Sequence, residues 1–386
     1  MAAMMLGDLG ADVIKIEHRV TGDAFRGYVV ADDGTDVTIG GGRGCFYECI
    51  NRNKRGIALD LGKTEGRELV YRLVRTADVF VQNFRKPVRE KLQLDYATLS
   101  SYNPQLIYAN CSGYGPEGSS SDDPAYDYLG LARSGIMHTT AGEPGMPIPV
   151  GAGLADQMGG TMAAYGILAA LLARERLGVG QELDVSLLSS MMWLQYLNVS
   201  SAAMVGYEFH WPPRGQGVRN PLIGHYMCGD GRWIAISMLQ ADRHWADFCA
   251  VLGIEELRED PRFKDMFVRA RNCAALMETL DRIFAGRTRE DWIRLFREAN
   301  LVVAPVNTIH ELIEDEQVVA NRYIVEYDHP VVAKKIKMMG VPVDLAQTPG
   351  GIHRPAPDFG QHTEEVLLEI GYSWDDIADL KEKEVI

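Results

Sequence analysis

One aspartate, Asp156, stands where a glycine-rich loop meets a long apolar run. Gly151-Ala152-Gly153-Leu154-Ala155 precede it, and the helical pattern Met158–Arg174 follows. Two roles suit such a residue. Asp is a favoured helix N-cap, because its carboxylate accepts the first backbone N–H groups, and by frequency this is the commoner role. The other role is chemical. A carboxylate beside a helix N-terminus, exposed in a glycine-lined cleft, stays ionised and can attack an acyl carbon. The local sequence leaves both open. The same glycines argue against a dinucleotide site. The fingerprint G-x-G-x-x-G would place Gly151 and Gly153 correctly, but its third glycine is Asp156 here, and a carboxylate there repels a pyrophosphate.

Two cationic runs are candidates for holding phosphate. Asn51-Arg52-Asn53-Lys54-Arg55 is dense, although a solvated surface run is its more ordinary meaning. Asn83-Phe84-Arg85-Lys86 follows a buried strand pattern, at the edge of the sheet where ligands of open α/β sheets bind. Arg and Lys there suit phosphates, and Phe84 suits a base. The nine histidines are scattered without metal-binding spacing, so no metal is expected. The acidic clusters Asp122-Asp123 and Glu314-Asp315-Glu316 suit solvated surface. There is no P-loop and no G-x-S-x-G elbow.

The elements that must position these groups follow from period. Ala2–Leu9 is helical and stops at Gly10. Val13–Glu17 is a strand, and so are Gly56–Leu61, Val79–Val81 and Leu106–Asn110. Lys63–Thr76 carries the helical stripe Leu69, Val70, Leu73 and Val74. Short strands alternating with helices predict an α/β fold, an open, doubly wound and mostly parallel sheet. After the loop Trp211–Gly217 the character changes. Trp233–Ser237 is a strand, and helices follow to about Asn300. The expected organisation is a large α/β domain from residues 1–195 and 315–386, and a smaller α+β domain over 205–310. Gly371, and Ser373 with Asp376 three residues on, predict a stop and a capped restart between two terminal helices.

Composition narrows the classes. The 386 residues carry a net charge of -14, which argues against non-specific nucleic-acid binding but permits a local anion site. Cys45, Cys49, Cys111, Cys228, Cys249 and Cys273 show no paired spacing and suit reduced thiols in the cytoplasm. The apolar stretch Met162–Ala173 is too short to span a bilayer.

Several runs, in order along nearly the whole chain, resemble the class III CoA-transferases, the CaiB/BaiF type that includes formyl-CoA and carnitine CoA-transferases. They are Leu6–Glu17, Asn51–Ile57, Asn83-Phe84-Arg85 with Lys91-Leu92, Gly113-Tyr114-Gly115-Pro116 and Pro124–Asp127. Gly166–Leu171, Gly180–Leu187 and Gly360–Leu367 complete the set. The resemblance implies an enzyme that moves CoA from an acyl-CoA donor to a carboxylic acid through an aspartyl anhydride and an aspartyl-CoA thioester. It implies Asp156 as the nucleophile and CoA thioester as substrate, with no permanently bound cofactor. It places CoA contacts on His18, Arg19, Asn83, Phe84, Arg85 and Lys91. It places the active-site lining on Tyr126 and Asp127, the substrate end on Arg26 and Tyr28, and a glycine loop on Gly215, Gln216 and Gly217.

Partners implied are acyl-CoA and small acids, with an interlocked homodimer or a heterodimer with a related subunit. Members of the family begin with a further strand and an Ala-Gly-Pro loop ahead of the position of Met1, which supply a sheet strand and a CoA contact. Relatives that racemise α-methylacyl-CoA carry histidine where this chain has Tyr126, a phenol of pKa about 10 and a poor base near neutrality. A racemase, or a non-catalytic subunit of a hetero-oligomeric transferase, are the alternatives. Trp193, Tyr196, Tyr28 and Trp211 suit either an aromatic-tolerant pocket or, more ordinarily, core.

Overall fold

Apolar period decides most elements of this chain, and caps and glycines decide where they end. The computed structural model describes residues 1–140, 146–151, 153–209, 214 and 216–386. Two compact units result. The first takes Met1–Thr140, Pro147–Phe209 and Arg322–Ile386; the second takes Met146 and the described residues of 210–321.

The first unit begins α1 (Ala2–Asp8), β1 (Val13–His18), α2 (Cys45–Asn51), β2 (Lys54–Leu59), α3 (Thr64–Val74) and β3 (Val79–Gln82). It continues α4 (Lys86–Lys91), α5 (Tyr96–Tyr102), β4 (Ile107–Ser112), α6 (Asp127–Arg133) and α7 (Ile136–Thr139). Then come α8 (Leu154–Leu177), β5 (Gln181–Ser186), α9 (Leu187–Leu194) and α10 (Tyr196–Val205). The second unit holds β6 (Ile223–Met227), β7 (Trp233–Ser237), α11 (Ala241–Leu252), α12 (Met266–Arg271), α13 (Cys273–Phe284) and α14 (Arg289–Glu298). β8 (Val303–Val306), α15 (Ile309–Ile313) and α16 (Glu316–Ala320) complete it. The chain then returns to the first unit with β9 (Ile324–His329), β10 (Lys334–Met339), α17 (Thr363–Glu369) and α18 (Trp374–Glu382).

The fold is mixed α/β with parallel sheets, but the expected single doubly wound sheet is divided. β1 pairs in parallel with β2, and β3, β4 and β5 form a separate parallel sheet in that order. No strand among the described residues joins the two. The outer edge of β2 explains part of the difference, because the C-terminal segment occupies it in place of a strand. The Asn53 N–H donates to the Arg354 carbonyl at 3.1 Å, and the Ala58 N–H to Thr363 Oγ1 at 3.0 Å. The Gly56 N–H donates to His362 Nδ1 at 3.1 Å, and the Asp60 N–H to the Val385 carbonyl at 2.8 Å. The two sheets share a core: Ile57 and Leu59 of β2 pack with Leu69 and Val74 of α3, Tyr108 of β4 and Val366 of α17. β9 and β10 form an antiparallel hairpin.

The second unit is an antiparallel sheet, β6-β7-β8, against helices. Its core is aromatic. The Tyr226 and Phe284 rings stack with centroids 4.7 Å apart, and Trp292 Nε1 donates to the Phe284 carbonyl at 2.9 Å. Among the described residues no helix is long and apolar enough to cross a membrane. At the C-terminus Gly371 has φ +89°, and Ser373 with Asp376 makes the expected capping box on α18.

The edge of β2 yields a stability test. Thr363→Val keeps the shape but leaves the buried Ala58 N–H without an acceptor. We expect about 1–3 kcal/mol of destabilisation in denaturant titration. A loss below a few tenths would show that the side chain is dispensable there.

Candidate active site

The start of α8 departs from the local signal around Asp156. The helix opens at Leu154, not after Asp156, so Asp156 is its third residue and not its cap. The cap position is Gly153, which has no side chain to offer and sits at φ +73°; Gly151 is also left-handed, at φ +51°. The capping carboxylate comes from elsewhere in the chain. Asp127, first residue of α6, accepts from Gly153 N–H (Oδ2, 3.1 Å), Ala155 N–H (Oδ1, 2.6 Å) and Asp156 N–H (Oδ1, 3.1 Å). Asp127 thus satisfies the orphan donors that Asp156 was expected to satisfy.

Small residues allow this approach. A Cβ on Gly130, one turn beyond Asp127, would lie 3.0 Å from the Ala155 Cβ and 3.1 Å from the Leu187 Cβ. A Cβ on Gly113, just past β4, would lie 2.2 Å from the Ala125 Cβ, so the loop leading to Tyr126 lies tight against the sheet end. Leu131, Ile136, Met137, Ala155 and Met191 close the core beneath.

The consequence for Asp156 is electrostatic. Its side chain retains exposed surface, and burial of the carboxyl, together with the Asp127 carboxylate, raises its pKa above the usual aspartate value. The expectation that the helix terminus alone dominates Asp156 is therefore incomplete. Tyr126, at the N-cap position of α6, is exposed. Both residues of the Tyr126–Asp127 pair stand at the mouth of α8, the acid by direct contact.

The expected CoA-contacting residues His18, Arg19, Asn83, Phe84 and Arg85 lie at or just past carboxyl ends of parallel strands, and Lys91 ends α4. His18 closes β1, and its Nδ1 accepts from the Val20 and Thr21 N–H groups, both at 3.3 Å. Arg19 pairs with Glu384 at 3.7 Å. Asn83 is exposed beyond β3, Phe84 packs partly on the core, and Arg85 is the N-cap residue of α4. Among the described residues Arg85, Lys86 and Lys91 make no ion pair, so cations without a bonded carboxylate stand at this edge. Sequence reasoning missed what fixes this turn. Gln82, Asn110 and Asp184 occupy matching positions on β3, β4 and β5 and are hydrogen-bonded in a row. Comparing the last residue of β3 with its register partners on β4 and β5 would have revealed them.

Other expectations are corrected. The run Asn51–Arg55 is neither solvated nor a phosphate site, because it is consumed internally. Arg52 pairs with buried Asp8 at 2.7 Å, and Lys54 Nζ donates to Asn51 Oδ1 at 2.9 Å. Arg55 is paired with Asp12, Glu365 and Glu369. Burial drives Lys54 down to about 8. Arg26, expected at the substrate end, is bonded within the chain. Its Nε and one terminal nitrogen hold Glu17 at 2.8 and 2.7 Å, it donates to Tyr47, and it reaches the Pro357 carbonyl at 3.1 Å. Burial alone would raise Glu17, but the Arg26 hydrogen bonds hold it below the usual carboxylate range. Tyr28 lies between the Phe25 and Phe46 rings. No contact joins Arg26 or Tyr28 to Asp156 among the described residues.

Gly215 and Trp211 lie outside the described residues. Gln216 is exposed, and Gly217, at φ +71°, accepts from Cys273 Sγ at 3.1 Å within the second unit. Trp193 and Tyr196 are a ring pair at 5.1 Å and are exposed, so they are not core.

A carboxylate at the first turn of α8, held beside Asp127, and a cationic turn beyond β3 thus stand on a parallel α/β fold. Residues 1–363 match the family model of CoA-transferase family III, and the chain belongs to that family. It is 32% identical to the succinate–glutarate CoA-transferase of Agrobacterium fabrum, over 96% of this chain and 91% of that one. It is 29% identical to the (R)-2-hydroxy-4-methylpentanoate CoA-transferase of Clostridioides difficile, over 100% and 94%. A crystal structure of a CaiB/BaiF family protein from Brucella suis superposes with a TM-score of 0.81 at 28% identity, covering 96% of this chain and 94% of that one. The chain is a CoA-transferase, taking a CoA thioester as substrate and a carboxylic acid as acceptor.

The Asp127–Asp156 arrangement has a pH signature. A raised carboxylate is ionised only above its raised value, so activity that needs it is lost as pH falls through that value. Asp127→Asn removes one of the two causes, and the acid limb of kcat/KM should move to lower pH. Asp127→Ala should do the same and cost about 1 kcal/mol of stability through the lost cap. For stability the sign is reversed. The raised group contributes in acid, and its contribution is lost as pH rises through the folded value. An acid limb that stays still or moves upward would overturn the assigned coupling.

Proposed function

We propose that Asp156 is the nucleophile and that it carries the acyl group and then CoA. The supporting observation is that Asp127 takes the helix donors, and among the described residues no hydrogen bond occupies the Asp156 carboxylate at the first turn of α8. Asp156 attacks the thioester carbonyl of the donor. The C–S bond breaks, giving a mixed anhydride and CoA thiolate. The thiolate attacks the Asp156 carbonyl, forming an aspartyl-CoA thioester and releasing the donor acid. The acceptor carboxylate attacks that thioester, again forming an anhydride and a thiolate. The thiolate then attacks the acceptor's acyl carbon, giving the new acyl-CoA and restoring Asp156. Each step exchanges one acyl bond for another, so no bound cofactor is needed. Water is the competitor, and the family resemblance assigns its exclusion to the glycine loop of Gly215, Gln216 and Gly217.

CoA is held at the cationic turn by Arg85 and Lys91, with Asn83, Phe84, His18 and Arg19 beside them. Arg and Lys without protein partners suit phosphate groups. The protein acts as an interlocked dimer, of two copies or with a related subunit. The apolar side chains Tyr165, Leu168 and Leu172 recur along one face of α8 and stay exposed in the single chain, as does Leu197. The large domain takes 1–195 and 315–386 and the small one 205–310.

Asp156→Ala should retain the fold and lose at least about a thousandfold in transfer rate. Hydroxylamine added with acyl-CoA should leave a hydroxamate on Asp156 in the wild type, read by peptide mass spectrometry. Activity within about tenfold of wild type in the variant would end the covalent assignment.

A further inference from the structure

The last residue of β3 and its register partners on β4 and β5 are three polar side chains at one level: Gln82 faces Asn110, and Asn110 faces Asp184. Gln82 and Asn110 are buried, while Asp184, on the outermost strand, is exposed. Their hydrogen bonds run in a single direction. The Phe84 N–H donates to Gln82 Oε1 at 2.6 Å. Gln82 Nε2 donates to Asn110 Oδ1 at 2.7 Å. Asn110 Nδ2 donates to the Asp184 carboxylate.

Chemistry dictates this polarity. A backbone N–H can only donate, so Gln82 must present its oxygen to Phe84 and its amide nitrogen to Asn110. Asn110 must then present its oxygen to Gln82 and its nitrogen outward. The row can end well only on a group that accepts, and a carboxylate does nothing else. Both amide orientations are thereby determined by the two ends.

We propose that Asn110 and Asp184 are positioning residues for the turn Asn83-Phe84-Arg85. They act through Gln82 on the Phe84 amide and so set the affinity for the nucleotide end of the CoA thioester. This rests on the assignment of that turn to CoA, made above. β3 is four residues long and its turn follows directly, so the Phe84 amide is the first backbone donor past the sheet that a strand-end side chain holds. Anchoring it fixes the direction in which Arg85 and α4 leave the strand.

The polarity supplies the test. In Gln82→Glu, position 82 can only accept, so Asn110 must turn its nitrogen toward it. That aims the Asn110 oxygen at the Asp184 carboxylate, two acceptors face to face. Adding Asp184→Asn supplies a donor at the far end and restores a complete row running the other way. Asp184→Asn alone keeps the original row, because its amide oxygen still accepts. The full chain is assayed in each case, by hydrogen exchange at the Phe84 amide, calorimetric Kd for free CoA, and KM and kcat with acyl-CoA.

Gln82→Glu should speed Phe84 exchange and raise both Kd and KM about fivefold, the size of one net hydrogen bond, with kcat nearly unchanged. Asp184→Asn should stay near wild type, and the double variant should recover. Should Gln82→Glu fold poorly, Asn110→Asp with and without Asp184→Asn carries the same logic. The carboxylate introduced at position 110 faces another carboxylate in the single variant and an amide donor in the pair. No recovery in the double variants, or unchanged exchange in the single ones, would overturn the row. Faster exchange with unchanged Kd for CoA would overturn its link to the nucleotide end. Neither readout depends on Asp156, so a missing hydroxamate and a failed row are separate results.

Discussion

The active end of this protein depends on one carboxylate taking the place of another. A helix that begins at Leu154 exposes backbone donors that need an acceptor. If Asp156 supplied it, its oxygens would be occupied and its reactivity lost to structure. Asp127 supplies it instead, from the start of α6, with α7 between the two helices in the chain. The requirement passes outward through packing. Asp127 reaches Gly153 only because α6 approaches α8 to the distance of a missing side chain at Gly130. Gly113 performs the same service where the loop before Tyr126 crosses the end of β4.

The cations of the first unit are divided by the same logic of satisfied and unsatisfied partners. Arg52 and Arg55 are closed off by Asp8, Asp12, Glu365 and Glu369, and they tie β2 to α1 and to the C-terminal segment. Such pairs recover the cost of taking charge from water only when both partners are present and well bonded. Arg85, Lys86 and Lys91 have no such partners among the described residues and stand beyond β3. A chain with a net charge of -14 therefore still presents a locally positive turn at the edge of its parallel sheet.

Local pattern was legible where the physics is local. The stripe of Leu69, Val70 and Val74, the stop at Gly10 and the capping box at Ser373 follow from neighbours within a few residues. The start of α8 was not, because its cap comes from Asp127, and no rule of spacing near Asp156 can reveal an acceptor so far upstream. The run Asn51–Arg55 misled for the same reason. Its charge density reads as a ligand site until Asp8 and Glu369 are seen to close over it. Arg26 likewise meets Glu17 nine residues before it and Pro357 at the other end of the chain. The ordered family runs singled out both Asp127 and Asp156, which meet in the structure, since a resemblance carries non-local contacts that period cannot.

The raised affinity of Asp156 for its proton fits the exchange it is proposed to perform. In that cycle the Asp156 carboxylate attacks once, on the donor thioester, and leaves once, in the last step, so its basicity bears on both. A plain alkyl carboxyl of the glutamate type titrates near about 4.3, while a free aspartate titrates near about 3.9. An unperturbed aspartyl anhydride would therefore be the more activated partner and the weaker base, tilting each exchange against formation of the enzyme-bound species. Burial and the Asp127 charge move Asp156 toward the substrate acids. They do so without closing it off, because Asp127 bonds to the backbone of α8 and not to the Asp156 side chain. Capping and tuning are thus one interaction. The carboxylate that releases Asp156 from its structural duty is also a charge that raises its affinity for a proton.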